Sequence, residues 1–577
     1  MTEINAFDLL REEMESDETH LRVNAIHRLK IVATLMGSEQ IKTVLLPYID
    51  HLIKKEEDEV LFAIAEEIEC LATLLPGNQT VLLPNLEQLA SSEETVVREM
   101  AVKSLISIAN LLGEYEIINF YVPLILRLAN NDTNFTCRVS AVNLMCPIYP
   151  RAGQHKDKIR AKFIELCSEE TPMVRRAVAS KIGELATVIE KEYVLTDLIQ
   201  SVKQLISDEQ DMVRVLGLNS LKLVAKVLRK DENKQHTLPI IIAATEDKSW
   251  RVRLALSKIF AEIAEAFGEE ADNVSLIQIF TNLLRDAEND VRTASIQSLT
   301  KFIKILSAEK LVIIVPHLQY LAKDSVPQVR AGVTEVIQIM CTLLPKDVTN
   351  LKLLPHIVDL FEDENKEVRQ GVTRAACKFV EVIGQDSLKN LIPHFKKSIE
   401  DPKWRVRIEA YDAIAHLSKV FHNPDLFQST LEPMFMNYLK DRIAVVRENG
   451  VEKLAILIQT YRDWSNSKLF NKLLESISKE NGYLYRLTGI QSLRTLALNV
   501  APETAADKIL PILIKHLNDT VPNIRFITIK ILKDLASKID NASIQNDIKS
   551  NISNLTNDND KDVKYFAQET LQYLHSH

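Results

Sequence analysis

Thirteen histidines, six cysteines and 79 acidic residues are the material from which this chain of 577 residues could assemble an active site. Metal ligation in a small motif wants Cys or His pairs a few residues apart. Cys70, Cys137, Cys146, Cys167, Cys341 and Cys377 offer no Cys-x-x-Cys, and none has a His at zinc spacing. They read as small buried hydrophobes in a reducing compartment. The histidines are scattered, except that His317, His356 and His394 follow a proline at intervals of 39 and 38 residues. Three equivalent histidines at that spacing predict a row along a repetitive surface rather than a metal site. A Gly-rich phosphate loop, a Gly-x-Ser-x-Gly elbow and a His-Glu-x-x-His helix are all absent from the sequence. The expectation is a protein with no catalytic residue, no metal and no cofactor.

The chemistry that does recur is a charge pair. Asp401-Pro-Lys-Trp-Arg-Val-Arg407 carries an acidic residue six positions before an arginine, with a β-branched residue just ahead of that arginine. The pattern returns as Asp208 to Arg214, Asp247 to Arg253, Asp286 to Arg292 and Asp324 to Arg330. It continues as Asp363 to Arg369, Asp441 to Arg447, Asp519 to Arg525 and Asp558 to Lys564. Looser copies end at Arg22, Leu61, Arg98, Arg138 (from Asp132), Arg176 and Arg486. An arginine and an aspartate fixed in every repeat would meet across neighbouring repeats and form a ladder that sets the stacking register.

The elements that position these pairs follow from the period. Arg22 to Lys564 is 542 residues in fourteen steps, about 39 per step. A leucine- or isoleucine-rich segment with a proline lies 14 positions before most of the arginines, as at Leu83-Pro84, Leu238-Pro239 and Leu510-Pro511. It predicts the first helix of each repeat, kinked near its start. After the aspartate, Val406, Ala410, Ile414 and Leu417 show the helical spacing of a second helix. Only helical signals at this period mark the HEAT and armadillo class of helix-pair solenoids. The predicted fold is all-α: an α-solenoid, a superhelical horseshoe of about 15 HEAT repeats with two antiparallel helices each, filling residues 1–577 as a single domain.

Composition narrows the function. Net charge is −9, from 70 basic and 79 acidic residues, which argues against a nucleic-acid binder. Met1-Thr-Glu-Ile-Asn-Ala-Phe7 has neither the basic region nor the apolar run of a secretory signal, and Leu311-Val-Ile-Ile-Val315 is too short to insert in a membrane. The default expectation is a cytoplasmic location. What remains is surface. The turns between the two helices of each repeat would line one ridge, and several carry large side chains. Two of the three tryptophans, Trp250 and Trp404, fall in matching turns beside arginines, the residue types that anchor protein interfaces.

In these turns the sequence resembles the scaffold (A, 65-kilodalton regulatory) subunits of protein phosphatase 2A. The words that carry the resemblance are Glu93-Glu-Thr-Val-Val-Arg98, Asp132 to Arg138, Thr171-Pro-Met-Val-Arg-Arg176 and Ser207-Asp-Glu-Gln-Asp211, followed by Glu246 to Arg253, Lys403 to Arg407 and Asp562-Val-Lys-Tyr-Phe-Ala-Gln568. The resemblance implies a non-catalytic scaffold that joins a phosphatase catalytic subunit to an exchangeable regulatory (B-type) subunit, in a heterodimer or heterotrimer. It implies regulatory-subunit binding by residues of about 1–310 and catalytic-subunit binding by residues of about 390–577. Matching turns would supply catalytic-subunit contacts from Lys403, Trp404, Arg405, Arg442, Ile443, Tyr483, Tyr485, Val521, Pro522 and Asn523. Regulatory-subunit contacts would come from Glu59, Glu94, Thr95, Thr171, Pro172, Met173, Arg175, Arg176, Asp211, Met212, Ser249, Trp250 and Arg251. Two turns depart from the family pattern, with Ala444 where an aromatic is common and an extra proline at Pro522. Nuclear residence would follow where the regulatory subunit directs it. The competing reading of a HEAT solenoid is a nuclear transport receptor, whose surface needs a dense acidic stretch; the one dense run is Glu56-Glu-Asp-Glu59, on a turn.

Overall fold

A computed structural model describes residues 6–268, 274–421, 425, 427–461, 468–479, 482–538 and 542–576. Among them there is no strand. The chain divides into two compact units, Met1–Leu306 and Ser307–His577. Each unit is a stack of antiparallel helix pairs in chain order, as the 39-residue period requires.

In the first unit the second helices include Asp58–Leu71, Thr95–Ala109, Phe135–Ile148, Pro172–Val188, Asp211–Val227 and Trp250–Ala266. In the second they include Pro327–Leu343, Lys366–Ile383, Trp404–Phe421, Ala444–Thr460, Tyr483–Asn499, Pro522–Lys538 and Lys561–Ser576. Within a unit each packs along the second helix of the next repeat. The sequence pattern gives the reason. Val406, Ala410, Ile414 and Leu417 are all at most 1% exposed, so one helical stripe is removed from water in every repeat. Helices approach closely where the stripe narrows: a Cβ on Gly183 would lie 2.7 Å from the backbone oxygen of Ser220 on the next second helix.

The first helices are longer than the proline signal suggests. A widened, π-type turn precedes Leu46-Pro47, Val122-Pro123, Leu238-Pro239, Glu432-Pro433 and Leu510-Pro511. Proline lacks the N–H that would close the preceding turn, and a π-type turn absorbs the break. Val194–Leu198 has the same turn with no proline after it, so the widening belongs to the repeat as well as to proline. Pro316, Pro355 and Pro393 instead lie inside unwidened helices, Ala308–Leu321, Lys346–Leu360 and Leu388–Ile399.

The ladder forms within each unit. In the first, Arg175, Arg214 and Arg253 grip Asp208, Asp247 and Asp286 through Nε and Nη2, at 2.6–3.1 Å. In the second, Arg330 grips Asp363, Arg369 grips Asp401, and Arg407 grips Asp441 in the same way. Arg486 grips Asp519 and Arg525 grips Asp558 likewise. The third donor of each fork turns back: Nη1 of Arg214 bonds the backbone oxygen of Asp208 at 2.8 Å. The aspartate has two duties as well. Oδ1 of Asp247 also accepts the amide of Ser249 at 2.8 Å, which closes the turn between the helices.

Three expectations need correction. The rung arginine of the Thr171 turn is Arg175, not Arg176; Val174 and Arg175 are the buried pair, and Arg176 contacts the sulfur of Met173 at 3.5 Å. The turn before Arg138 is one residue longer than the rest, so Asn131 takes the place expected of Asp132. Asn131 Oδ1 accepts the amides of Thr133 and Asn134, at 3.1 and 2.9 Å, while Asp132 is exposed. Finally, His317, His356 and His394 do not form an exposed row. His356 is 8% exposed, His317 is half-buried, and His394 stacks on Phe361 at 5.2 Å between ring centres. Burial lowers the pKa of His356, which favours its neutral form.

Candidate functional site: the turns between paired helices

Most of the described turns are built the same way. The rung aspartate or its substitute folds the turn, the rung arginine buries beneath it, and the residues between them face solvent at the start of the second helix. In the second unit this presents Lys403, Trp404 and Arg405 together. Lys403 and Arg405 are exposed and Trp404 is half-buried, with the Arg405 guanidinium 4.3 Å from the indole centre. That arrangement leaves one edge of the ring free and pre-orients the cation.

Neighbouring turns touch. Nη2 of Arg442 lies 3.5 Å from the backbone oxygen of Pro402, one repeat earlier, and Ile443 beside it is 36% exposed. The amide of Asn523 donates to the hydroxyl of Tyr483 at 3.2 Å. Tyr485, Val521 and Pro522 are half-buried, and the Arg447 guanidinium lies 5.3 Å from the Tyr485 ring. Arg447 sends Nε to the hydroxyl of Thr488 at 2.9 Å. Asn481, two positions before Tyr483, lies outside the described residues. Of the catalytic-subunit set, the structure thus joins Arg442 to the Pro402 turn and Tyr483 to Asn523.

In the first unit Asp211 is the hub. It accepts from the hydroxyl of Ser249 at 3.0 Å and from Arg251 at 3.5 Å, both on the next turn. Arg251 also lies 5.1 Å from the ring centre of half-buried Trp250. Met173 and Met212 are 48% and 37% exposed, which leaves two flexible apolar side chains on adjacent turns. Thr171 and Pro172 are half-buried; Glu59, Glu94 and Thr95 are exposed. Arg175 is the exception among the expected contacts. It is buried at 8% exposure, and its bonds to Asp208 raise its pKa. It orders the turn from beneath rather than facing outward.

The sequence reading overlooked three ridge residues. Val96, Val445 and Leu484 are 52%, 49% and 53% exposed, each two positions before a rung arginine. The same position holds Met173, Met212, Arg251, Arg405 and Asn523. At Asp290, Gln328 and Glu367 it is polar and exposed. Position two before the arginine is the crest of each turn, and reading that column alone would have found all three. Among the described residues no group of His, Cys, Asp or Glu could hold a metal ion, and no helix is long and apolar enough to cross a membrane.

Helix pairs stacked through an Arg–Asp ladder, with a crest of aromatic, sulfur-bearing and cationic side chains, define a HEAT-repeat solenoid. A family model described as PPP2R1A-like HEAT repeat matches residues 269–348, and one described as HEAT repeat matches 509–539. The chain is similar in sequence to the 65 kDa regulatory, or scaffold, subunits of protein phosphatase 2A. It is 35% identical over 372 residues to the beta isoform of the human serine/threonine-protein phosphatase 2A 65 kDa regulatory subunit, covering 63% of this chain and 62% of that protein. It is 34% identical over 265 residues to the protein phosphatase PP2A regulatory subunit of Schizosaccharomyces pombe, covering 45% of each. It is 38% identical over 194 residues to the protein phosphatase 2A scaffold subunit of Dictyostelium discoideum, covering 33% of each. The aligned stretches therefore span less than two thirds of these relatives' own length. Among solved structures, Kap121p bound to Pho4p superposes with a TM-score of 0.64 at 14% identity, covering 96% of this chain and 59% of Kap121p. Kap95p in its complex with RanGDP gives 0.58 at 13%, covering 100% of this chain and 80% of Kap95p. Identities this low speak for the solenoid fold alone.

Proposed function

We propose that this protein is a non-catalytic scaffold of a serine/threonine protein phosphatase 2A-type holoenzyme. Through the turns of its repeats it bridges a catalytic subunit to an exchangeable regulatory (B-type) subunit. The turns of about 390–577 hold the catalytic subunit, and those of about 1–310 hold the regulatory subunit. The observation that supports this most directly is the crest in the second unit. Trp404 with Arg405, Arg442 with Ile443, and Tyr483 with Tyr485 put rigid aromatic and guanidinium groups on consecutive turns, in a chain whose relatives are named phosphatase 2A regulatory subunits. Such groups are the usual anchors of a protein interface.

The mechanism needs no chemistry from this chain. A regulatory subunit captures substrate, and sharing one scaffold raises the substrate's effective concentration at the phosphatase active site. Cytoplasmic residence, with nuclear entry where the regulatory subunit directs it, goes with this reading. The test is co-elution of the purified chain with a phosphatase 2A-type catalytic subunit on a sizing column. Wild type should give a stable one-to-one peak. Trp404→Ala should weaken it by about 2 kcal/mol, roughly 30-fold in affinity. If wild type and the catalytic subunit elute separately at micromolar concentration, the scaffold reading is removed.

A further inference from the structure

Among the described residues of the first unit, one rung keeps its arginine while its partner position holds no carboxylate. From Arg175 onward, the aspartates of the closed forks lie 32–34 residues after the arginine. Thirty-three residues after Arg98 stands Asn131, an amide. Arg98 nevertheless keeps the buried posture of a rung arginine, at 8% exposure. Its Nη1 turns back to the backbone oxygens of Ser92 and Glu93, at 2.9 and 3.1 Å, and Nη2 reaches only the hydroxyl of Thr95, at 3.3 Å. Its Nε, which elsewhere holds the carboxylate, makes no bond within the protein.

Arg98 also lines a cavity of about 340 Å³ on the second-helix face, between the helices Thr95–Ala109 and Phe135–Ile148. Its floor is apolar, from Val102, Ile106 and Val139. Its charged lining is Arg98, Lys103 and Lys181 against the single carboxylate of Glu99. Lys181 is bonded by Glu184, at 2.7 and 2.8 Å, whereas exposed Lys103 stands without an acidic partner. The cleft therefore holds an excess of positive charge over an apolar floor, with a half-used guanidinium fork at one end. A fork of this shape elsewhere in the molecule takes a carboxylate through two parallel bonds.

We propose that this cleft binds an acidic segment of a partner polypeptide. One Asp or Glu side chain completes the Arg98 rung, and a neighbouring apolar side chain rests on Val102, Ile106 and Val139. The site lies on the second-helix face rather than on the turn crest, and it stands whether or not the chain scaffolds a phosphatase.

The test is fluorescence anisotropy with the full-length chain and a short fluorescein-labelled peptide of alternating Leu and Glu, beside its Leu–Gln counterpart. The Glu peptide should bind at least about tenfold more tightly than the Gln peptide. Asn131→Asp supplies the missing carboxylate from within and should weaken binding of the Glu peptide about tenfold, with a melting temperature no lower than wild type. Asn131→Ser, which keeps a turn-closing oxygen as Ser92 does, leaves the rung neutral and should bind like wild type. Lys103→Glu changes an exposed residue, leaves the fold intact, and should also weaken binding about tenfold. Equal binding of the two peptides, or an Asn131→Asp protein that binds like wild type, overturns the proposal.

Discussion

Residues 19–138 and residues 175–286 are stacks of the same helix pair, held in register by different chemistry. In the second stretch every interface carries an arginine fork on an aspartate, with the guanidinium side chain 5–17% exposed. In the first stretch, Leu61 removes one arginine, Asn131 removes one aspartate, and Arg138 reaches Glu169 by one bond at 3.2 Å with its Nε unbonded. Other contacts supplement the broken row: Arg22 reaches Glu56 at 2.9 Å, Arg127 grips both oxygens of Glu87 between first helices, and hydroxyls bridge the second helices. The hydroxyl of Ser104 bonds the backbone oxygen of Ala65, and that of Ser140 the oxygen of Ala90, both at 2.6 Å and both buried. Asn134 donates to the backbone oxygen of Ser91 at 3.1 Å. A hydroxyl fixes one contact, whereas a fork fixes a distance and an angle together. A buried ion pair is weak evidence for stability, because two charges must leave water to form it. Both stretches also use a buried hydroxyl, as Ser220 bonds the backbone oxygen of Ala179 at 2.6 Å, so the difference is one of register: the row of turn forks is complete in the second stretch and broken in the first.

Four measurements would break or sharpen that contrast. The largest effect is expected from Asp247→Ala, which strands the Arg214 charge at 4% exposure and removes the acceptor for the Ser249 amide. Breaking one side of a buried pair costs about 3–5 kcal/mol, to be read from urea denaturation. If Asp247→Ala instead costs no more than a lost hydroxyl, the forks are not special. Next, Ser104→Ala should cost about 1 kcal/mol, since it leaves only the carbonyl of Ala65 without its partner. Removing both charges while keeping the turn acceptor, as Arg214→Met with Asp247→Asn, should come within about 1 kcal/mol of wild type, because no charge is left stranded. A loss comparable to Asp247→Ala would show that the pair stabilises outright.

The smallest effect is expected on mild acidification. Burial lowers the pKa of His356 and His516 below the ordinary histidine value. The unfolded chain then binds more protons than the folded one, so stability falls as pH drops from about 6.5. Asp519 adds a later step. Burial alone would raise its pKa, but the Val521 amide and Arg486 outweigh that and hold it low. Its contribution is present above an unfolded value of about 3.9 and is lost as pH falls through its lower folded value. Thermal melts from pH 7 to pH 3 check both steps, and a flat profile from pH 7 to pH 5 would deny the histidines their role.

Much of this architecture was legible because the ladder repeats an acidic residue, a gap and an arginine often enough to expose its own period. The errors arose where that gap varies. Two adjacent arginines follow Thr171, and helical phase rather than spacing picks Arg175, since only it lies on the buried stripe with Val174 and Val178. One extra residue in the turn before Arg138 slides Asp132 outward and puts Asn131 on the rung. The prolines marked first helices but did not foretell the widened turns ahead of them, which depend on how five successive amides are satisfied. On the crest, Trp250 and Trp404 were visible because tryptophan is rare here, whereas Val96, Val445 and Leu484 looked like ordinary core residues until their column was aligned.

A rung arginine whose fork is closed, such as Arg214, is tied to its own turn by Nη1 and to the following turn by Nε and Nη2. Within a unit such interfaces are links of a chain, and a pull at one end would load them one after another. In the first unit the row of turn links breaks at Arg98 and Asn131, and there the load passes to the first helices, where Arg127 grips both carboxylate oxygens of Glu87 through Nε and Nη2 at 2.9 and 2.6 Å.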